Sequence, residues 1–296
     1  MNRFNLILAS VGFAFGLSNV TFAADYDWAP VARALGRSGA QLPGGVYRVG
    51  LGRSDLKVML DGVPIRPTLA LGSYLAFQTM GSQGMVMGDL VLLHEEVNPV
   101  MKKLLDGGIE ITALHNHLLR SSPATMYMHF LGRGDPVKLA AALRAGLAES
   151  KTPLVAPAPT GSPQPLDLDT AAIDQALGAK GTVNSGVYAF NLPRAEPILD
   201  AGMPIPVGMG LGIVINFQPT GGGKAAITGD FVLIAQEVNP VLRALRDAGI
   251  EMTALHSHML DEQPRLFFMH FWANDDAGKL ARGLKAALDK VKLAKG

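Results

Sequence analysis

The sequence has no cysteine, no run of like charges, and no long apolar run beyond its N-terminus. The lack of cysteine excludes a disulfide framework, a cysteine nucleophile, thiolate metal ligands and lipid attachment through an N-terminal cysteine. The 26 basic and 25 acidic residues give a formal net charge of +1 with no basic stripe. Nucleic acid and anionic membrane surfaces are therefore not expected as partners.

The N-terminus has the layout of a secretory signal peptide. The stretch "MNRFNLILASVGFAFGLSNVTFA" places Arg3 before a short apolar core and ends on small residues. We expect residues 1–23 to be the signal peptide, with cleavage after Ala23 or Ala24. The apolar core is short for a membrane span, which takes about 20 residues. The expected mature protein is periplasmic or secreted and has no transmembrane segment.

The rest of the chain is an internal duplication. A shift of 141 residues places "GDLVLLHEEVNPV", which starts at Gly88, on "GDFVLIAQEVNPV", which starts at Gly229. The same shift places "GIEITALHNHL" on "GIEMTALHSHM". We therefore predict a first unit over residues 28–150 and a second unit over residues 170–292. The proline-rich residues 151–169 between them are typical of a linker.

Each unit alternates strand-like and helix-like segments. "MVMGDLVLL" is strand-like, and "IEITALHNHLL" and "ATMYMHFLG" are two strands joined by the turn "RSSP". "DPVKLAAALRAGLAES" is an amphipathic helix. The order predicts the α+β class, in which each unit is a mostly antiparallel sheet with helices on one face.

Two smaller features recur in both units. Asn98 and Asn239, each followed by proline, are expected to cap a helix whose first residue is that proline. The Gly-Asp pairs at 88–89 and 229–230 are expected to form turn or bulge geometry.

Six of the seven histidines follow one repeated pattern. Alternation along a strand places the three histidines of each unit on one face, and Met and Phe side chains on the other. The Met and Phe face should lie under the helices, which leaves the histidine face for a pocket, the surface or the contact between units. A hairpin centred near Pro123 would place His117 across from His129. The six are His115, His117 and His129 in the first unit and His256, His258 and His270 in the second.

Imidazoles that converge from adjacent strands can bind a divalent metal. Neutral imidazole suits Zn or Cu, and three histidines leave one coordination position open for water or substrate. We expect one such three-histidine site in each unit. Glu96 and Glu237 are the candidate additional ligands or general bases. His94 has no counterpart, because Ala235 stands opposite it, and is expected at the surface or behind the ligands.

The segments "GDLVLLHEEVNPVMKKLLDGGIEITALHNHLL", "MYMHF" and "SDLKVMLDGVPI" resemble the LppY/LpqO family of bacterial exported proteins. The resemblance covers the mature chain in two copies and implies export, but no particular activity. Some members of that family are lipoproteins. This chain has no cysteine to carry a lipid, which favours a freely soluble periplasmic form.

The sequence predicts an exported protein that binds a divalent transition metal, with a small molecule or metal ion as its partner. A metal-activated water attacking a small substrate would make it a metal-dependent hydrolase. Two alternatives stay open. One is a metal-free enzyme that uses His and Glu as acid and base, such as a lyase or glycan-active enzyme. The other is a non-catalytic binding or scaffold protein whose units pack through buried histidines. The residues alone do not decide whether the chain is an enzyme.

Overall fold

The structure is a computed structural model of the chain and describes residues 26–80, 83–155 and 166–294. The predicted signal peptide and most of the predicted linker lie outside the described residues. None of the helices in the described part is long and apolar enough to cross a membrane.

In its described residues, the first unit contains four helices and eight strands. They are α1 (Ala29–Leu35), β1 (Ala40–Leu42), β2 (Val46–Gly52), β3 (Met59–Leu60), β4 (Val63–Pro64), α2 (Pro67–Ala70), β5 (Gly72–Met80), β6 (Gln83–Leu93), α3 (His94–Asp106), β7 (Glu110–His115), β8 (Thr125–Gly134) and α4 (Pro136–Leu147).

The second unit repeats this order with small changes. It contains α5 (Thr170–Leu177), β9 (Thr182–Asn184), β10 (Val187–Leu192), β11 (Leu199–Asp200), β12 (Met203–Pro204), a 3₁₀ turn (Val207–Met209), β13 (Ile213–Gly221), β14 (Lys224–Leu233), α6 (Ala235–Asp247), β15 (Glu251–His256), β16 (Glu262–Gln263), β17 (Phe267–Asp276) and α7 (Ala277–Leu288).

Each unit is built on a six-stranded sheet of the same topology. The first sheet has the order β1-β2-β5-β6-β8-β7 and the second has the order β9-β10-β13-β14-β17-β15. Neighbouring strands in both sheets are antiparallel. The predicted α+β class and internal repeat are confirmed.

One face of each sheet packs against the helices of its own unit. In the first unit, Met128 and Phe130 of β8 share a core with Val100 of α3 and Leu143 of α4. In the second, Met269 and Phe271 of β17 are fully buried in the corresponding core. The Met and Phe face therefore lies under the helices, as predicted from alternation.

The opposite faces of the two sheets pack against each other. Tyr127 and Val91 of the first sheet share an apolar cluster with Ala226 and Trp272 of the second. The Asn216 side chain also crosses the interface, where its Nδ2–H donates to the Leu69 carbonyl at 2.9 Å. The histidine face of each unit is thus the contact between units, which was one of the three predicted places for it.

The helix that follows β6 begins earlier than predicted. Helix α3 starts at His94, so Asn98 and Pro99 lie within its second turn and are not its cap. The Glu96 carboxylate accepts a hydrogen bond from the backbone N–H of Leu93 at 2.9 Å, which satisfies a free N–H group at the helix start. Helix α6 starts at Ala235 in the same way. The predicted asparagine caps are wrong because a glutamate side chain provides the cap.

Candidate metal centre

In each unit, two paired strands and the loop after the first of them position the histidines. In the first unit, β7 pairs with β8 so that Ala113 lies opposite His129 and His115 opposite Tyr127. The register shifts between Ile111 and Ala113, and His117 lies beyond the end of β7. The predicted pairing of His117 with His129 is therefore wrong, because the observed pairing centres the hairpin near residue 121 and not near Pro123. His117 instead stacks on Tyr127, with ring centroids 3.4 Å apart.

All six histidines meet at the interface between the sheets. Each imidazole stacks against one from the other unit, and the arrangement follows a pseudo-twofold axis that exchanges each residue with its counterpart 141 positions away. The pairs are His115 with His256 at a centroid distance of 3.4 Å, His117 with His270 at 3.6 Å, and His129 with His258 at 3.7 Å. The expectation of a separate three-histidine site in each unit is corrected, since the histidines form one shared cluster.

Two aspartates complete this group. Asp89 in β6 lies opposite His129 in β8, and Asp230 in β14 lies opposite His270 in β17. The His129 Nε2 atom is 3.8 Å from Asp89 Oδ2. We call the six histidines with Asp89 and Asp230 the histidine–aspartate cluster. The predicted turn at the Gly-Asp pairs is wrong, because both pairs lie inside long central strands.

The glycine before each aspartate allows two strands to approach closely. A Cβ atom at Gly229 would lie 1.9 Å from the Val214 carbonyl oxygen, so a side chain does not fit there. The Gly229 carbonyl accepts a hydrogen bond from His270 Nδ1 at 2.8 Å. Gly88 holds the corresponding place in the first unit, where a Cβ atom would lie 2.2 Å from the Tyr74 carbonyl oxygen. The Gly-Asp pair therefore orients one imidazole and places a carboxyl group beside it.

The Nδ1 hydrogen bonds define which ring nitrogen is free. A carbonyl oxygen only accepts, so the Nδ1 of His270 carries the proton and its Nε2 keeps a lone pair. His115 and His256 make longer Nδ1 contacts, of 3.3 and 3.4 Å, with the carbonyls of Asn116 and Ser257. Among the described residues, the buried Nε2 atoms of all six histidines have no hydrogen-bond partner. One oxygen of Asp89 and one of Asp230 are buried and unpaired in the same way.

Burial sets the protonation of the cluster. Burial lowers the pKa of His115 to about 4 and, together with the charge of His115, lowers that of His256 to about 3. The pKa values of the other four imidazoles also lie well below their usual range because of burial and neighbouring histidines. Burial raises the pKa of Asp89, although the charge of Arg48 opposes this, and burial and Asp89 raise that of Asp230. At neutral pH the imidazoles are thus neutral, the form that binds metals.

The ligand atoms fall into four overlapping groups, each with all its atoms within 4.8 Å of one another. Two groups hold four histidines from both units and share His115 and His256. Two other groups each lie within one unit and have no residue in common. The two groups drawn from both units are His115–His129–His256–His258 and His115–His117–His256–His270. The two groups within single units are Asp89–His117–His129 and Asp230–His258–His270.

Glu96 and Glu237 have a different place from the predicted one. Neither belongs to any of the four groups. Glu96 accepts hydrogen bonds from the buried Arg53 at 2.7 and 3.2 Å, and Glu237 accepts hydrogen bonds from the buried Arg194 at 2.6 and 3.2 Å. Burial raises the pKa of Glu96, but hydrogen bonds from Arg53 and the backbone outweigh it, so the net shift is downward.

His94 is exposed at the start of α3, at the surface as predicted. The two aspartates were missed because glycine and aspartate together are typical of turns. The signal that could have found them is an acidic residue repeated in both units within the apolar strands "MVMGDLVLL" and "AAITGDFVLI".

Comparison with known proteins identifies a family match. The family model described as "Domain of Unknown Function (DUF1259)" matches residues 29–149 and again residues 171–290. No curated protein matches the chain.

Three solved structures share a weak overall similarity. The trimeric bacterial microcompartment shell protein PduB is 12% identical, covers 86% of this chain and 90% of its own, and has a TM-score of 0.23. EtuB from Clostridium kluyveri is 9% identical over 85% and 91% of the two chains, with a TM-score of 0.20. EutL from Clostridium perfringens is 11% identical over 86% and 94%, with a TM-score of 0.18.

Proposed function

The chain belongs to the family of the Domain of Unknown Function (DUF1259) and carries that domain twice, and from this premise we propose that its two copies together bind divalent transition-metal ions in the histidine–aspartate cluster. The observation that carries this proposal is the convergence of six buried, unpaired Nε2 atoms from both units.

The energetic cost of the unpaired atoms supports a bound cation. A buried polar atom without a partner costs about 1–3 kcal/mol, so the eight unpaired atoms of the cluster would cost about 8–24 kcal/mol. The whole free energy of unfolding of a typical protein is only about 5–15 kcal/mol. A bound partner that satisfies these atoms would remove this cost, which supports the proposal. Several Nε2 atoms within 4.8 Å of one another favour a cation over water, because one water molecule has only two hydrogens to donate.

The two groups that lie within single units favour two ions per chain. Because they share no residue, both can be filled at once, each by one carboxylate and two imidazoles. In one of them, Asp89 Oδ2 lies 4.0 Å from His117 Nε2 and 3.8 Å from His129 Nε2. Ligand atoms around a tetrahedral ion with bonds of about 2.1 Å are about 3.4 Å apart, so a small contraction suffices. His115 and His256 on the pseudo-twofold axis are then available as further ligands.

The donor set narrows the metals. Two imidazoles and one carboxylate with open positions suit Zn or Fe(II), while sets richer in imidazole also suit Cu. An open position can hold a water molecule, and a metal lowers the pKa of such a water toward neutrality. The reaction class proposed for the chain is accordingly metal-dependent hydrolysis of a small substrate.

The proposal is tested by metal analysis of protein purified without a histidine tag. We expect about two equivalents of a transition metal per chain, or the same uptake of added Co(II), measured by mass spectrometry of the elements and by Co(II) absorption bands. The double variant His115→Ala/His256→Ala should bind less, and Asp89→Asn should lose one equivalent. His94→Ala is the matched control, because it removes the exposed seventh histidine.

Two results would contradict the proposal. One is wild-type protein that takes up no Zn, Cu, Fe(II) or Co(II). The other is folded Asp89→Asn protein that keeps the full metal content of the wild type. If the protein is metal-free and the histidine variants only lower its melting temperature, the cluster is a packing contact, which is the scaffold alternative. An activity that survives chelators would instead favour metal-free acid–base catalysis.

Export is part of the same proposal. The basic residue, apolar core and small residues of the N-terminal 23 residues support it. Expression of the full chain in a bacterium, followed by intact-mass measurement of the periplasmic fraction, should give a protein that starts after Ala23 or Ala24. An unprocessed chain confined to the cytoplasm would contradict this part.

A further inference from the structure

A cavity reaches the histidine–aspartate cluster. Its volume is about 550 Å³, which is in the range of small-molecule pockets. Both aspartates, His117 and His270 line it. The cavity thus contacts candidate metal ligands of both units.

The remaining walls of this cavity break the pseudo-twofold symmetry. The first unit contributes Arg48 and Tyr74. The repeat places Ala189 at the position of Arg48 and, after the one-residue gap, Val214 at that of Tyr74. The cluster itself is symmetric, so a cation and a phenol on one side only are not a consequence of the duplication.

The Arg48 guanidinium is held in place but not neutralised. Its Nη1–H donates to the Gly208 carbonyl at 2.8 Å, and its central carbon lies 3.8 Å from the centre of the Tyr74 ring. Tyr74 is directly opposite Asp89 in the sheet. Among the described residues, the guanidinium has no carboxylate oxygen within 4.0 Å, and the Tyr74 hydroxyl makes no hydrogen bond with another side chain. A fixed arginine with free N–H groups therefore faces the space beside Asp89.

We infer that this cavity binds a small organic anion, whose carboxylate or phosphate group is held by Arg48 and Tyr74 and whose remainder lies beside the metal ligands. Guanidinium offers a planar pair of N–H donors that matches both kinds of oxyanion. The Asn216 and Thr228 side chains on the opposite wall offer further polar contacts to an uncharged part of the ligand. The inference deepens the proposed function by naming the substrate class of the same site, and it rests on that function.

The test measures the binding of inorganic phosphate and of acetate, as separate arms, by calorimetry to wild-type protein of measured metal content. The variants are Arg48→Met, Arg48→Lys and Tyr74→Phe, and the control is Arg33→Met, which changes an exposed arginine of α1. We expect Arg48→Met to weaken binding of the preferred anion roughly 10- to 100-fold, as loss of charged hydrogen bonds does. Arg48→Lys should lie between, Tyr74→Phe should weaken binding severalfold, and Arg33→Met should match the wild type. Far-ultraviolet circular dichroism checks that each variant is folded.

The outcomes separate this inference from the metal proposal. Unchanged anion affinity in folded Arg48→Met and Tyr74→Phe proteins that keep their metal would overturn the inference and leave the metal proposal standing. Binding that depends on Arg48 in a protein that takes up no metal would overturn the metal proposal but support an anion site. No binding of either anion to metal-loaded wild-type protein would also overturn the inference.

Discussion

Both units contribute to two kinds of buried polar group, and these differ in whether their atoms have hydrogen-bond partners. One is the ion pair of Arg53 with Glu96, repeated as Arg194 with Glu237. Every N–H-bearing nitrogen of the Arg53 guanidinium has an acceptor, supplied by Glu96, Asp55 or the Val91 carbonyl. In the repeat the Arg194 Nε is the exception. The other group is the histidine–aspartate cluster, in which eight buried atoms have no partner.

This difference separates a structural role from a binding role. The glutamate ties the start of a helix to an arginine beneath it, so all its partners belong to the fold. The Nε2 atoms of the six histidines and one oxygen of each aspartate are also buried, yet the fold gives these atoms no hydrogen-bond partner. Duplication preserves both groups equally, so repetition does not distinguish them, whereas satisfaction of hydrogen bonds does.

The largest expected effect is the pH dependence of the metal-free protein. A histidine whose pKa falls from about 6.5 unfolded to about 4 or 3 folded, as for His115 and His256, stabilises the fold above pH 6.5. As pH falls below 6.5, the unfolded chain gains protons that the folded chain does not take up, so stability is lost at about 1.4 kcal/mol per pH unit per histidine. The raised pKa values of the two aspartates act in the opposite direction, but six histidines outnumber them.

Chelator-treated protein should therefore unfold as the pH falls from 6.5 towards 4, as followed by urea titration at each pH. His115→Leu/His256→Leu should flatten the dependence, and His94→Leu should not. Glu96 contributes in a lower window, because its pKa is lowered from 4.5 and its stabilisation is lost only below that value. A stability that is level from pH 7 to 5 would show that the cluster is not buried as described.

The next effect is the loss of the ion pair. Glu96→Ala leaves Arg53 buried without its main partner, and breaking one side of a buried pair costs about 3–5 kcal/mol. The free energy of unfolding from urea titration should fall by that amount, while the metal content stays at the wild-type value. Glu95→Ala, at the exposed neighbouring position, is the control and should change stability by less than about 0.5 kcal/mol. Loss of metal from folded Glu96→Ala protein would return this glutamate to the candidate site.

The two faces of each sheet could be predicted from the sequence, since alternation placed the histidines on one face and the Met and Phe side chains under the helices. The convergence of the two sets of histidines at one axis could not be predicted. It depends on how the two sheets pack, and that packing involves contacts such as the hydrogen bond from Trp272 to Asp61, residues that are 211 positions apart. The role of Glu96 was misjudged because its partner, Arg53, is 43 residues earlier in the chain and has no local signature.

Metal addition should raise the free energy of unfolding by an amount similar to, or smaller than, the loss expected for Glu96→Ala. A ligand that binds only the folded state adds about 3–4 kcal/mol to the free energy of unfolding at 100 to 1,000 times its dissociation constant. Urea titrations with and without added Zn should show this gain in wild-type and His94→Ala protein. The gain should be smaller in His115→Ala/His256→Ala, which lacks the two imidazoles that would serve as further ligands. An equal gain in that double variant would show that His115 and His256 are not ligands.

The smallest expected effect is the change in stability caused by His115→Leu, and it gives the clearest contrast between the ion pair and the histidine–aspartate cluster. His115→Leu removes an unpaired Nε2 atom and replaces the ring by an apolar side chain of similar size. Replacing an unsatisfied polar group in this way is nearly neutral or stabilising, so metal-free protein should change by less than about 1 kcal/mol. The same variant should bind metal more weakly, as shown by competition with a chromogenic chelator. For Glu96→Ala we expect the reverse, which is a large loss of stability with normal metal binding. A His115→Leu protein that is strongly destabilised without metal would mean that the imidazoles hold the units together, because their stacking would then outweigh their unpaired atoms.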